Sequence, residues 1–129
     1  MTRVLAVVAA AAALGVCGSA RAATRLAVVL LPEGSGGPVQ HFRLSCDPAR
    51  GTVPDPARAC KALAALAHPF APVLPGTVCA QIALGPQEAV VRGVVRGRRV
   101  WARLRLRDSC EIERWRRLRR VVPGFPATS

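Results

Sequence analysis

The stretch AVVRGVVRGRRVWARLRLR, residues 89–107, decides the fold. It contains two runs rich in valine and leucine, Ala89–Arg96 and Val100–Arg107, joined across Gly97-Arg98-Arg99. In the second run Val100, Ala102, Leu104 and Leu106 alternate with Trp101, Arg103, Arg105 and Arg107. Successive side chains of a strand point to opposite faces, so this pattern predicts a strand with one buried and one solvated face.

Upstream, Leu26–Leu31 is an apolar, β-branched run ended by Pro32, and residues 34–38 read as a turn. Val39–Cys46 alternates again: Phe42, Leu44 and Cys46 share one face, His41, Arg43 and Ser45 the other. The two runs predict an antiparallel pair. The stretch from Asp47-Pro48 to Asp55-Pro56 reads as a loop. Asp55 is suited to accept the unpaired amide hydrogens of a helix, and Pro56 to occupy its first position. The spacing predicts a helix over 56–67, with Ala59, Cys60, Leu63 and Leu66 along one face and Pro69 ending it. His68, at that end, either caps its carbonyls or has no role. Residues 69–78 hold three prolines and a glycine, a stiff irregular connection. Cys79–Pro86 has no periodicity and reads as an exposed loop.

Downstream, Ile112, Trp115, Leu118 and Val122 recur at helical spacing, predicting a short amphipathic helix over 110–120 that ends before Pro123. The residues alone therefore predict an α+β domain: four or five short strands in one antiparallel sheet, with two helices packed on one face.

The first 22 residues read as an export signal. Arg3 supplies the positive start, Leu5–Val16 the apolar run, and Ala20-Arg21-Ala22 the small-x-small pattern before a cut after Ala22. The run is short for a membrane span, which takes about 20 apolar residues. A lipid anchor on Cys17 fits less well, because Val16 precedes it. The expected mature domain is residues 23–129, secreted. The 129-residue chain has 19 basic and 7 acidic residues. Losing Arg3 and Arg21 leaves 17 against 7, about +10. Losing Cys17 leaves Cys46, Cys60, Cys79 and Cys110. An even number of cysteines in a small exported chain implies two disulfides, and three pairings remain open. No Cys-x-x-Cys pair suggests a metal site.

The sequence resembles the Streptomyces-type subtilisin inhibitor family over about residues 25–125. Leu44-Ser45-Cys46-Asp47-Pro48, then Gly51-Thr52, Pro54-Asp55-Pro56 and Ala59-Cys60, are similar to its first disulfide region. Cys79-Ala80-Gln81-Ile82 with Gly85-Pro86 resembles the reactive loop of one branch. Gly93, the Gly97 hairpin, and Ser109-Cys110-Glu111-Ile112 with Trp115 resemble its C-terminal half. The resemblance implies a five-stranded sheet with two helices, bridges Cys46–Cys60 and Cys79–Cys110, and a homodimer formed through sheet faces. It implies a substrate-like inhibitor of subtilisin-like serine proteases with Gln81–Ile82 as the reactive bond, flanked by Cys79, Ala80 and Ala83. Ala80 stands where the family more often has Pro or Thr, and Ala83 where an aromatic is common.

Neutral Gln81 would leave the carboxylate of a trypsin-like pocket unpaired, which favours the broad pocket of subtilisin-like enzymes. The sequence offers no acid–base pair, metal cluster or phosphate loop of an enzyme, and implies no cofactor. His41, Ser45 and Asp47 are close in sequence but lack the sharp turn that presents a nucleophile. The rival reading is a basic secreted protein whose helix arginines (Arg114, Arg116, Arg117, Arg119 and Arg120) bind anionic surfaces or nucleic acid. Arginine outnumbers lysine 18 to 1, a compositional bias that weakens it and leaves no specific nucleic-acid partner expected.

Overall fold

The computed structural model describes residues 22–127, together with Ala10 and Gly15. The export signal over 1–22, with Cys17 and its basic residues, lies almost entirely outside the described residues. No helix among the described residues is long and apolar enough to cross a membrane.

Five strands form one antiparallel sheet: β1 (Thr24–Leu31), β2 (Gln40–Cys46), β3 (Arg50–Gly51), β4 (Glu88–Val95) and β5 (Arg98–Arg105), in the order β3-β2-β1-β4-β5. The apolar β1 lies at the centre, paired with β2 on one side and β4 on the other. Its alternation buries Leu26, Val28 and Leu30 on the inner face, where they join Leu44, Val91, Ala102 and Leu104. Gly93 permits the close β1–β4 approach: a Cβ there would run into the Arg25 carbonyl oxygen, and its φ of +145° suits only glycine.

Helix α1 (Pro56–Ala64) and helix α2 (Ser109–Leu118) cover that inner face. Asp55 caps α1 by accepting from the Arg58 amide at 3.1 Å, with Pro56 in the first turn. Ala59 and Leu63 face the core, with Cys60 and Leu66 packed against it. In α2 the Asp108 carboxylate accepts from the Glu111 amide at 2.9 Å. Ile112, Trp115 and Leu118 are buried. The Trp115 indole N–H donates to the Val122 carbonyl at 3.1 Å, and Phe125 meets the ring edge-on. The two disulfides are Cys46–Cys60, tying β2 to α1, and Cys79–Cys110.

Several boundaries differ from expectation. β1 starts two residues earlier than the apolar run. The loop after Cys46 contains β3. The hairpin turn is Arg96–Gly97, because Val95 pairs with Arg98, and not the stretch 97–99. Both turn residues have positive φ, +48° and +79°, the geometry that matches strand twist in a two-residue hairpin. Arg96 is an unusual residue there, and its side chain explains it. The guanidinium donates to the carbonyls of Leu63, Leu66 and Ala67 at 3.0, 2.7 and 3.1 Å. It thus closes α1 at Ala64, short of the predicted residue 67, and supplies the positive end-charge that the helix dipole favours. The hairpin arginine, and not His68, supplies the cap.

Candidate functional site

Residues 62–87 contain no Asp, Glu, Lys or Arg, in a chain with 26 such residues. This neutral segment runs from α1 across the outside of the molecule to β4, with no regular structure from Val78 to Gly85. Leu63 and Phe70 are buried in the core, but from Leu74 onward its large apolar side chains are exposed: Val78 at 96%, Leu74 at 75% and Ile82 at 57%. Phe70 anchors the segment on the core, and the stiff prolines of 69–78 help keep the stretch beyond it in solvent.

Both sides of the loop are anchored. On the first, Cys79 is bonded to Cys110 at the start of α2. Ala80 is held at both its polar backbone groups: its N–H donates to Ser109 Oγ at 2.8 Å, and its carbonyl accepts from the Ser109 amide at 2.9 Å. On the second side the Leu84 amide donates to the Leu106 carbonyl at 2.9 Å, just past β5. Gln81, Ile82 and Ala83, all exposed, span the gap. The Ile82 amide donates to the Ala80 carbonyl at 2.9 Å, which places Gln81 at the apex of a tight turn. The Gln81 side chain folds back to the Cys79 carbonyl at 3.4 Å. The resemblance singles out Gln81 and Ile82, flanked by Cys79, Ala80 and Ala83, and these residues lie in one irregular loop with Gln81, Ile82 and Ala83 exposed. The sequence did not identify Ser109 or Leu106. Ser109 sits beside a cysteine, but its hydroxyl acts on a residue 29 positions away.

Where the loop rejoins the sheet, Glu88 is buried at 8% exposure. It faces three arginines of β5 and its extension: Arg103 at 2.7 Å, Arg105 at 3.6 Å and Arg107 at 3.7 Å. The hydrogen bond from Arg103 and the charges of all three hold its carboxyl below the usual range, against the opposing effect of burial. A depressed carboxyl stabilises the fold fully above the ordinary glutamate value of about 4.3, and this contribution is lost as pH falls through the folded value. Wild-type stability is therefore expected to drop on acidification below about pH 4.3, and Glu88→Gln to flatten that limb. Urea melts at pH 3 to 6 check this; parallel curves for the two proteins would contradict it.

The helix arginines are largely occupied within the molecule. Arg114 donates to the Phe70 carbonyl at 3.0 Å and the Arg103 carbonyl at 3.2 Å. Arg116 and Arg117 share Glu113 at 2.6 and 3.5 Å, and Arg119 donates to the Arg116 carbonyl at 2.9 Å. Arg114 is pinned against the loop and β5 and Arg116 and Arg117 share one acid, while Arg116, Arg117, Arg119 and Arg120 keep exposed side chains. His41 and Ser45 lie on the outer face of β2, four residues or about 13 Å apart along the strand, too far for proton transfer. Cys79, Asp108 and Cys110 cluster closely. The two sulfurs are bonded to each other and Asp108 caps α2, so the cluster offers no thiolate to a metal.

A family model described as subtilisin inhibitor-like matches residues 21–105. The match spans the whole sheet, the Cys46–Cys60 bridge and the loop, and ends before Ser109 and Cys110. No curated protein matches the chain.

Proposed function

The chain belongs to the subtilisin inhibitor-like family, and from that premise we propose that it inhibits subtilisin-like serine proteases as a substrate that fails to leave, with Gln81–Ile82 as the reactive bond. Family membership points to protease inhibition in general; the bond and the target class rest on the loop. The supporting observation is that Gln81, Ile82 and Ala83 are exposed between two anchors, Cys79–Ala80 on Cys110–Ser109 and Leu84 on Leu106.

A serine protease attacks a peptide carbonyl carbon and holds the developing oxyanion with backbone donors. Attack at Gln81 breaks the bond to the Ile82 nitrogen, leaving an acyl-enzyme and a new amine. In most substrates the amine diffuses away. Here Ile82 is tied on one side to the Ala80 carbonyl and on the other, through Leu84, to the sheet. The amine stays beside the acyl carbon and religation competes with water. A pre-shaped loop also avoids the ordering cost of binding, about 0.5–1.5 kcal/mol for each immobilised side chain. Uncharged Gln81 suits a broad, apolar primary pocket, and exposed Val78 and Leu74 extend the apolar contact along the acyl side.

Residues 1–22 act as the export signal in this reading, and the mature protein begins at Ala23. The homodimer implied by the resemblance would have to stack the outer sheet faces; a dimeric mass at micromolar concentration in moderate salt is its test. Titrating subtilisin with the purified protein tests the main proposal. Residual activity is expected to fall linearly to zero near one equivalent. Steady turnover of the protein without inhibition would overturn the reading.

A further inference from the structure

We propose that the free edge of β5, with the groove beside it, is a docking site for an extended acidic segment of a partner protein. The segment adds to the sheet as a further strand, a function independent of the inhibitory loop. β5 is the last strand of the sheet. Its pairing with β4 starts at Val95–Arg98, so the bonded pairs of the ladder fall on Arg98, Val100, Ala102 and Leu104. The N–H and C=O groups of Arg99 and Trp101 therefore point the other way, off the edge. The Arg103 carbonyl does the same, and there it accepts from Arg114. The four groups of Arg99 and Trp101 have no partner among the described residues. Unpaired groups along a strand edge are a template for another strand.

The groove has fixed walls and a defined chemistry. It encloses about 590 Å³ between the β5 edge and residues 67–71. Arg96 ties the two walls at the hairpin end, through the carbonyls of Leu63, Leu66 and Ala67. Arg114 ties them at the other end by donating to both the Arg103 and the Phe70 carbonyls. Val95, Val100 and Phe70 offer an apolar seat for alternate side chains of an added strand. Arg98 and Arg99 stand exposed on the same edge, and neither side chain has an ion pair or hydrogen bond among the described residues. No acid lines this groove. Asp108 and Glu111, which flank Trp101 and Arg103 further along, are engaged in capping α2 and in pairing with Arg114. Charge selects the occupant. An acidic strand pairs with Arg98 and Arg99, whereas a second copy joined edge to edge would set Arg99 and Arg103 against their own counterparts. A homodimer stacked through the outer faces does not occupy this edge, because an added strand lies in the plane of the sheet.

The test is fluorescence anisotropy of a labelled hexapeptide of alternating glutamate and valine with the purified protein. Binding is expected at about 50 mM salt and should weaken as added salt screens the charges. The counterpart with lysine in place of glutamate should not bind. In an antiparallel pairing the glutamates lie on the side of Arg99 and turn their amides towards β5. N-methylation of those amides should weaken binding at least about tenfold, and N-methylation of the valine amides should be tolerated. Arg98→Gln/Arg99→Gln should weaken binding at least about threefold. Arg98→Gln/Arg99→Pro, which also removes an outward N–H at an edge position open to proline, should weaken it further. Arg119→Gln/Arg120→Gln, at the end of α2, should change little. Thermal unfolding of each variant confirms that these exposed positions leave the fold intact. The binding assay contains no protease, so its outcome is separate from that of the subtilisin titration. Absence of binding at low salt overturns the proposal. So does an equal effect of the two methylation patterns, or equal loss in the Arg119/Arg120 variant.

Discussion

Replacing Gln81 with proline is expected to weaken inhibition of subtilisin at least about a hundredfold, the factor matching about 3 kcal/mol. Proline removes the N–H of the residue that enters the primary pocket, so an enzyme carbonyl that would accept from it is left unpaired on complex formation. It also fixes φ at the apex of a turn already constrained by the Ile82–Ala80 hydrogen bond. Gln81→Lys separates pocket chemistry from loop shape. The loop anchors are backbone groups, Ser109 and a disulfide, and none involves the Gln81 side chain beyond its long contact with the Cys79 carbonyl. The lysine variant should gain trypsin inhibition, because its ammonium pairs with the carboxylate at the base of that pocket. It should keep part of its action on subtilisin. Inhibition constants against both enzymes decide the matter; tight inhibition by Gln81→Pro would mean that another bond enters the cleft.

Removing the second bridge is expected to turn the inhibitor into a substrate. Cys79 and Cys110 are 31 positions apart, and a loop of that size contributes about 3–4 kcal/mol in the chain-entropy model. Cys79→Ser/Cys110→Ser should therefore melt lower. The functional effect is the sharper one. The Ala80–Ser109 hydrogen bonds alone must then hold the acyl side, in water, after cleavage. Inhibition should become transient, fading as the protease digests the loop. Removing Cys46–Cys60, with a separation of 14, should cost about 3 kcal/mol of stability while inhibition below the melt persists. Progress curves of protease activity over hours separate the two variants. Equal, lasting inhibition by both would show that the Cys79–Cys110 bridge is not the anchor.

What the sequence disclosed follows from how local each signal is. β5 was legible because Val100, Ala102, Leu104 and Leu106 alternate with polar residues, and burial follows that alternation. The start of α1 was legible because a cap and its helix are neighbours in sequence: Asp55 acts on Arg58. The disulfide pairing was not readable from spacing and came with the family resemblance. β3 has two residues, too few for any periodicity. The hairpin turn was misplaced because Arg96 has no local reason to adopt positive φ; its reason is α1, about 30 positions away. That slip also concealed the Glu88 network. Once the turn is set at Arg96–Gly97, antiparallel register alone places Glu88 opposite Arg105. Within the candidate site, Gln81 and Ile82 came with the family resemblance, as the second and third residues beyond Cys79. Ser109 and Leu106, which anchor the loop, show themselves only when α2 and the end of β5 are folded beside it.

The most direct measurement is the position of the bond that a bound protease cuts. After prolonged incubation with subtilisin at mildly acidic pH, intact-mass analysis is expected to show a single added water. Reduction should then release two pieces, one ending at Gln81 and the other beginning at Ile82, which before reduction were held together by Cys79–Cys110. A nick at any other bond, or digestion to small peptides without a persistent two-piece form, would contradict the account.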